Sequence, residues 1–130
     1  MVVDRSYSLQ LTVHYGRQLR DTDWVGQSDA YVQAQLMPGG PENRSPTVDN
    51  DCNPVWNWTC CFPYENQRFL DFRVCDYDVA TADDFLGQAY LNLTKGENLL
   101  RKDLPLVTEK GEEAGMINVS VDWLVSVCLI

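Results

Sequence analysis

This sequence predicts an all-β fold, an antiparallel sandwich of eight short strands. Three observations carry that expectation. Apolar residues recur with period two in run after run, and the runs are rich in Val, Ile, Tyr, Phe and Trp, the pattern of half-buried strands. Gly, Pro and Asn clusters separate the runs at short, fairly regular spacing. No stretch carries the 3.6-residue period of a long helix. A length of 130 residues with 45% apolar content suits one domain around one core, so 1–130 is read as a single domain cut from a longer protein.

The strands are expected in this order. Leu9, Leu11, Val13 and Tyr15 alternate with polar partners and place the first at 6–15. Val32, Ala34 and Leu36 mark the second at 30–37, closed by Pro38-Gly39-Gly40-Pro41. A third follows at 44–49. Asn53-Pro54 precedes a fourth at 56–63. Leu70, Phe72 and Val74 give the fifth at 68–75, and a sixth spans 85–93. Lys95-Gly96 and Lys110-Gly111 bracket the seventh at 101–107. Ile117, Val119, Val121 and Trp123 place the last at 115–125. The apolar stretch 123–130 is far too short to span a bilayer, and residues 1–6 are polar, without the apolar centre of a signal peptide.

Charge narrows the function. The chain holds 19 acidic and 10 basic side chains, a net charge of −9. A nucleic-acid binder needs the opposite balance. An anionic membrane surface would also repel this chain unless something neutralised the acid first. Five cysteines are present, an odd number without a C-x-x-C, and His14 is the only histidine. Those facts disfavour zinc and favour buried free thiols in a reducing compartment. Sequons at Asn43, Asn57, Asn92 and Asn118 keep a secreted reading open, although Asn57 and Asn118 fall in or beside expected strands.

The acid is concentrated in two loops. The first contains Asp21, Asp23 and Asp29; the second contains Asp76, Asp78, Asp83 and Asp84. Asp76 and Asp78 stand two apart at a strand end and share a side. Asp84 follows Asp78 by six residues, the spacing that also separates Asp23 from Asp29. Carboxylates are strong ligands for calcium, which takes six to eight oxygens. Any one loop aspartate could simply cap a turn, but two loops with matched spacing point to an ion. An EF-hand does not fit the second loop, because Thr81 stands at its sixth position and Gly87 at its twelfth. Unneutralised, so many carboxylates should leave the loops strained or mobile.

Three motifs resemble those of C2 domains, in that family's order. Asp23-x5-Asp29-Ala30-Tyr31-Val32 is similar to the first calcium loop, with Ala30 where Pro is common. Asn53-Pro54-Val55-Trp56-Asn57 matches the segment before the fourth strand. Asp76-x-Asp78-x5-Asp84-Phe85-Leu86-Gly87 resembles the third calcium loop and the strand after it. The resemblance implies a C2 fold. It also implies a metal site at Asp23, Asp29, Asp76, Asp78 and Asp84 holding two or three calcium ions. Carbonyls such as those of Trp24 and Tyr77 would add ligands, with Thr81 as a further hydroxyl ligand. Asn50 resembles a ligand position in the cytosolic phospholipase A2 type, which shares the run Asn50-Asp51-x-Asn53-Pro54-Val55-Trp56-Asn57. Asp21 and Asp83 are spare acids at the rim. Six residues precede Tyr7, too few for an additional leading strand. That matches the second C2 topology, found also in phosphoinositide-specific phospholipase C, with the last strand filling the place beside the first.

Calcium-dependent phospholipid binding is the function this implies. Five aspartates carry −5 and two calcium ions +4, so the filled site approaches neutrality and can accept lipid phosphate. Trp24 and Val25 at one tip, and Val79 and Ala80 at the other, are the residues expected to enter the bilayer. Arg44 is the only base between Asn43 and Asn50, and Arg68 and Arg73 make no cluster in the sequence. That weakens a phosphoinositide preference and favours a zwitterionic lipid such as phosphatidylcholine. No nucleophile motif or phosphate-cradling loop occurs, so the chain is read as no enzyme itself, though it can target one. A cytoplasmic protein that joins membranes peripherally is the expected setting. A calcium-independent protein-interaction module and the C2 domain of a secreted pore-forming protein remain the alternatives.

Overall fold

The computed structural model describes residues 3–20 and 27–129. Eight strands follow one another: β1 (Val3–Arg17), β2 (Ala30–Met37), β3 (Glu42–Arg44), β4 (Val55–Tyr64), β5 (Phe69–Asp76), β6 (Asp84–Asn92), β7 (Leu99–Val107) and β8 (Glu113–Leu129). Their order is β3-β2-β5-β6-β7-β8-β1-β4, and neighbours pair antiparallel. Two four-stranded sheets, β3-β2-β5-β6 and β7-β8-β1-β4, meet through the pair Gln88–Val107. The longest pairing joins β1 to β8, from Val3–Leu129 to Arg17–Met116. The last strand therefore lies beside the first, as the second C2 topology requires.

Alternation explains the core. Leu9, Leu11 and Val13 of β1, Val32, Ala34 and Leu36 of β2, and Leu70, Phe72 and Val74 of β5 are all fully buried. Ile117, Val119 and Val121 of β8 join them with Phe62 and Trp56 of β4. Each buried Val, Leu, Ile or Phe among them contributes about 1.5–3 kcal/mol. A one-residue slip in any strand would turn its apolar set to water. Gly115, at φ +90°, sits where a side chain would press on the Arg17 and Gln18 carbonyls.

Three expectations need correction. The third strand occupies Glu42–Arg44 rather than 44–49. Pro46 has no N–H to give a ladder, and the Ser45 hydroxyl takes a strand partner's place by accepting from Val32 N at 2.8 Å. Val48 makes only an isolated bridge to Ala30. The last strand runs on to Leu129, and its end exposes Val125, Val127 and Leu129. All five thiols are free of disulfides, but only Cys75 is buried; Cys61 and Cys128 are exposed. Outward-facing positions of β4 and β8 leave them there. Burial and the adjacent Cys61 push the Cys60 thiol up to about 12.

Among the sequons, Asn118 is buried, and its Nδ2 donates to Arg101 O at 3.1 Å and to Asp103 Oδ1 at 2.6 Å. Among the described residues no helix is long and apolar enough to cross a membrane.

Candidate functional site

Three connections meet at one end of the sandwich: β1–β2, β3–β4 and β5–β6. The pairs Ala30–Asp76 and Asp76–Asp84 set Asp29, Asp76 and Asp84 at the adjacent ends of three strands. Asp76 closes β5 and is 2% exposed. Its Oδ1 accepts from Asp29 N at 2.8 Å, and Tyr77 N donates to Asp29 O at 2.8 Å. Asp84 opens β6 directly opposite Asp76 and is exposed. Cβ atoms in such opposed positions stand about 4.5–5.5 Å apart, so two like charges face each other here.

The middle loop is tied to this pair. Asn50 N donates to Asp29 Oδ1 at 2.6 Å, and Asn50 Oδ1 accepts from Gln27 N at 2.6 Å. Asn50 holds φ at 53°, a left-handed conformation that Asn tolerates better than most residues. Asn53 Oδ1 accepts from Gln18 N at 3.0 Å, and Gly16 N donates to Pro54 O at 2.9 Å. Trp56 Nε1 donates to Ala30 O at 3.1 Å. The Asn53-Pro54-Val55-Trp56 segment thus fastens the end of β1 and the start of β2.

The β5–β6 loop is organised by its own acids. Asp78 Oδ1 accepts from Ala80 N at 2.8 Å and Thr81 N at 3.3 Å. The Ala80 N–H, then the Thr81 hydroxyl and N–H, hold the Asp78 carboxyl below its ordinary range. Asp83 Oδ1 accepts from Asp78 N at 3.0 Å, and Asp83 Oδ2 accepts from Tyr31 Oη at 2.5 Å. The Tyr31 bond, then the Asp78 amide, lowers Asp83 likewise. The Thr81 hydroxyl donates to Ala82 O at 3.4 Å. Val79 stands 86% exposed at the tip beside exposed Ala80. Backbone N–H groups thus meet the Asp78 and Asp83 carboxylates.

Asp23, Trp24 and Val25, with Asp21, lie outside the described residues. Among the described residues, no three His, Cys, Asp or Glu side chains are grouped as a metal would need.

A profile of the C2 domain family matches residues 7–109. The chain belongs to that family. This C2 domain is 39% identical over 93 residues to the human multiple C2 and transmembrane domain-containing protein 1, covering 70% of this chain and 9% of the relative. It is 37% identical over 100 residues to a multiple C2 and transmembrane domain-containing protein of Drosophila melanogaster, covering 75% of the chain and 11% of that protein. The chain thus spans only a small part of the length of these relatives. Among solved structures, a C2 domain of plant extended synaptotagmin 1 superposes with a TM-score of 0.79 at 20% identity, covering 89% of this chain and 92% of that one. Human GIVD cytosolic phospholipase A2 gives a TM-score of 0.75 at 25% identity, covering 95% of this chain and 17% of the enzyme.

Of the acids in this C2 domain's loops, Asp29, Asp76 and Asp84 stand at adjacent strand ends and Asp78 follows in the β5–β6 loop; carboxylates are hard oxygen donors of the type calcium takes. Two other residues carry roles that the sequence does not announce. Arg20 donates through Nε to Leu86 O at 3.1 Å and through Nη2 to Phe85 O, pinning the start of the first loop to β6. Tyr31 reads as a strand aromatic, and its link to Asp83 has no sequence signal. The register also revises the basic residues. Arg44 and Arg73 both pair with Gln33, one on each side. They share one sheet face about 10 Å apart, so they do form a pair that the sequence conceals.

Proposed function

We propose that this C2 domain binds phospholipid surfaces in response to calcium. The observation that carries the reading is the placement of Asp29, Asp76 and Asp84 on adjacent strand ends, beside a tip where Val79 is 86% exposed. Asp29, Asp76, Asp78 and Asp84, with Asp23, would hold two or three ions, aided by Thr81 and Asn50. Bound there, calcium supplies charge that offsets the acids and a coordination position for lipid phosphate. The protein's own part is to aim the carboxylates and display the tip. Asp78 does so by folding Val79 and Ala80 over its Oδ1, while Trp24 and Val25 supply the second apolar contact. The amide of Asn50 already orients Asp29. Phosphatidylcholine is the proposed headgroup, and the domain is proposed to act as a cytoplasmic, peripheral module of a larger protein.

Sedimentation with liposomes tests this. Phosphatidylcholine vesicles should pull the domain down with calcium and not with EGTA, and Asp78→Asn should abolish the difference. Equal sedimentation of Asp78→Asn and the parent would overturn the mechanism. A phosphoinositide arm tests the second reading that the Arg44–Gln33–Arg73 row favours. Preference for phosphoinositide that Arg73→Gln removes would replace the phosphatidylcholine assignment.

A further inference from the structure

Asp83 is an extra acid in a loop already crowded with them, and both of its oxygens are engaged. Oδ2 accepts from the Tyr31 hydroxyl at 2.5 Å, and Oδ1 accepts from the Asp78 amide at 3.0 Å. One carboxylate therefore ties the two limbs of the β5–β6 loop together and ties both to β2. The anchor is rigid. Tyr31 is 4% exposed, and the Arg44 guanidinium covers its ring at 3.6 Å from the centroid. A hydroxyl leaving a buried ring needs a partner, and a carboxylate is a strong one. Binding groups must be held to about 0.5 Å to act together. Asp78 is held by its own amide, through Asp83, by Tyr31.

We infer that Tyr31 is a positioning residue for the calcium loop: its hydroxyl, acting through Asp83 as a strut and not as a ligand, fixes Asp78 and the exposed Val79 tip before any ion arrives. The calcium part of this rests on the function proposed above; the loop ordering does not. Asp83 thus differs in task from Asp76, Asp78 and Asp84 although it lies among them.

Tyr31→Phe removes one oxygen and keeps the ring. In EGTA, 15N relaxation should give order parameters near about 0.85 at Asp78 and Asp83 in the parent and below about 0.6 in Tyr31→Phe. Calcium affinity by calorimetry should fall roughly tenfold, the weight of one charge-assisted bond. Asp83→Ala should cost the same, and the double variant no more than either single one. Asp83→Asn, which keeps an oxygen for the Asp78 amide and a polar partner for Tyr31, should restore most of the affinity. Unchanged order parameters in Tyr31→Phe overturn the inference. So does ordered-loop loss with full calcium affinity, and so does Asp83→Asn binding as weakly as Asp83→Ala, the mark of a ligand. If the loop loosens but neither protein takes up calcium, the strut stands and the calcium reading fails.

Discussion

Replacing Asp76 with asparagine should change stability little without calcium and should remove most of the stability that calcium adds. Asp76 is 2% exposed and faces Asp84 across the β5–β6 pair. Two carboxylates about 6 Å apart repel by roughly 0.7 kcal/mol at the dielectric of water and about 2.8 kcal/mol at an effective value of 20. Asp84 is exposed, so the lower part of that range applies, about 1 kcal/mol. Asparagine relieves it. The amide oxygen still accepts the 2.8 Å bond from Asp29 N, but as a neutral acceptor it forfeits about 1 kcal/mol. The two terms offset, and Asp76→Asn should lie within about 1 kcal/mol of the parent in EGTA. Calcium at a hundred times its dissociation constant adds about 2.7 kcal/mol to the parent for one site. At roughly 3–5 °C per kcal/mol for a chain of this size, that is about 8–13 °C in Tm. The variant should gain little of it. Thermal unfolding by circular dichroism, in EGTA and in calcium, reads both arms. A variant that gains as many degrees as the parent would refute the placement of Asp76 in the metal site. A loss in EGTA beyond about 2 kcal/mol would refute the offset.

Three further outcomes are expected. Val79→Asn should leave stability within about 0.5 kcal/mol, since an 86% exposed side chain has little to lose. Its calcium-dependent affinity for vesicles should drop roughly tenfold or more, about the value of burying a valine, and equal vesicle binding would remove Val79 from the membrane contact. Gly115→Ala should lower the urea midpoint by more than about 2 kcal/mol equivalent. A Cβ there would lie 2.4 Å from Arg17 O, at a φ of +90°. His14 lies 2.8 Å from Ser120 Oγ, and burial, then Arg101, holds its imidazole below the ordinary 6.5. The unfolded chain therefore takes up the proton first, so stability is full above 6.5 and falls as pH drops through the window beneath it. His14→Gln should flatten that slope between urea midpoints taken at about pH 7.5 and about pH 5.5 in EGTA.

Most strands are legible in the sequence because their apolar residues alternate without interruption, and β2 falls residue for residue on the expected 30–37. The third strand is not, because the Val32 N–H bonds the Ser45 hydroxyl and Pro46 has no N–H to give, and neither feature has a periodic signature. The acids are legible as a set but not by task. Motif spacing leaves Asp83 as a spare acid beside Asp84, but nothing in the sequence announces its bonds to Tyr31 and the Asp78 amide. The pairing of Arg44 and Arg73 around Gln33 joins residues that lie far apart in the chain.

The sequence by itself determined the all-β class, the strand faces and the family, because period, turn residues and motif spacing are local properties. The tertiary structure decided which loops share an end, which acids face one another and which one is a strut. Those outcomes depend on register between strands distant in the chain, where one residue of slip would exchange the site for the core.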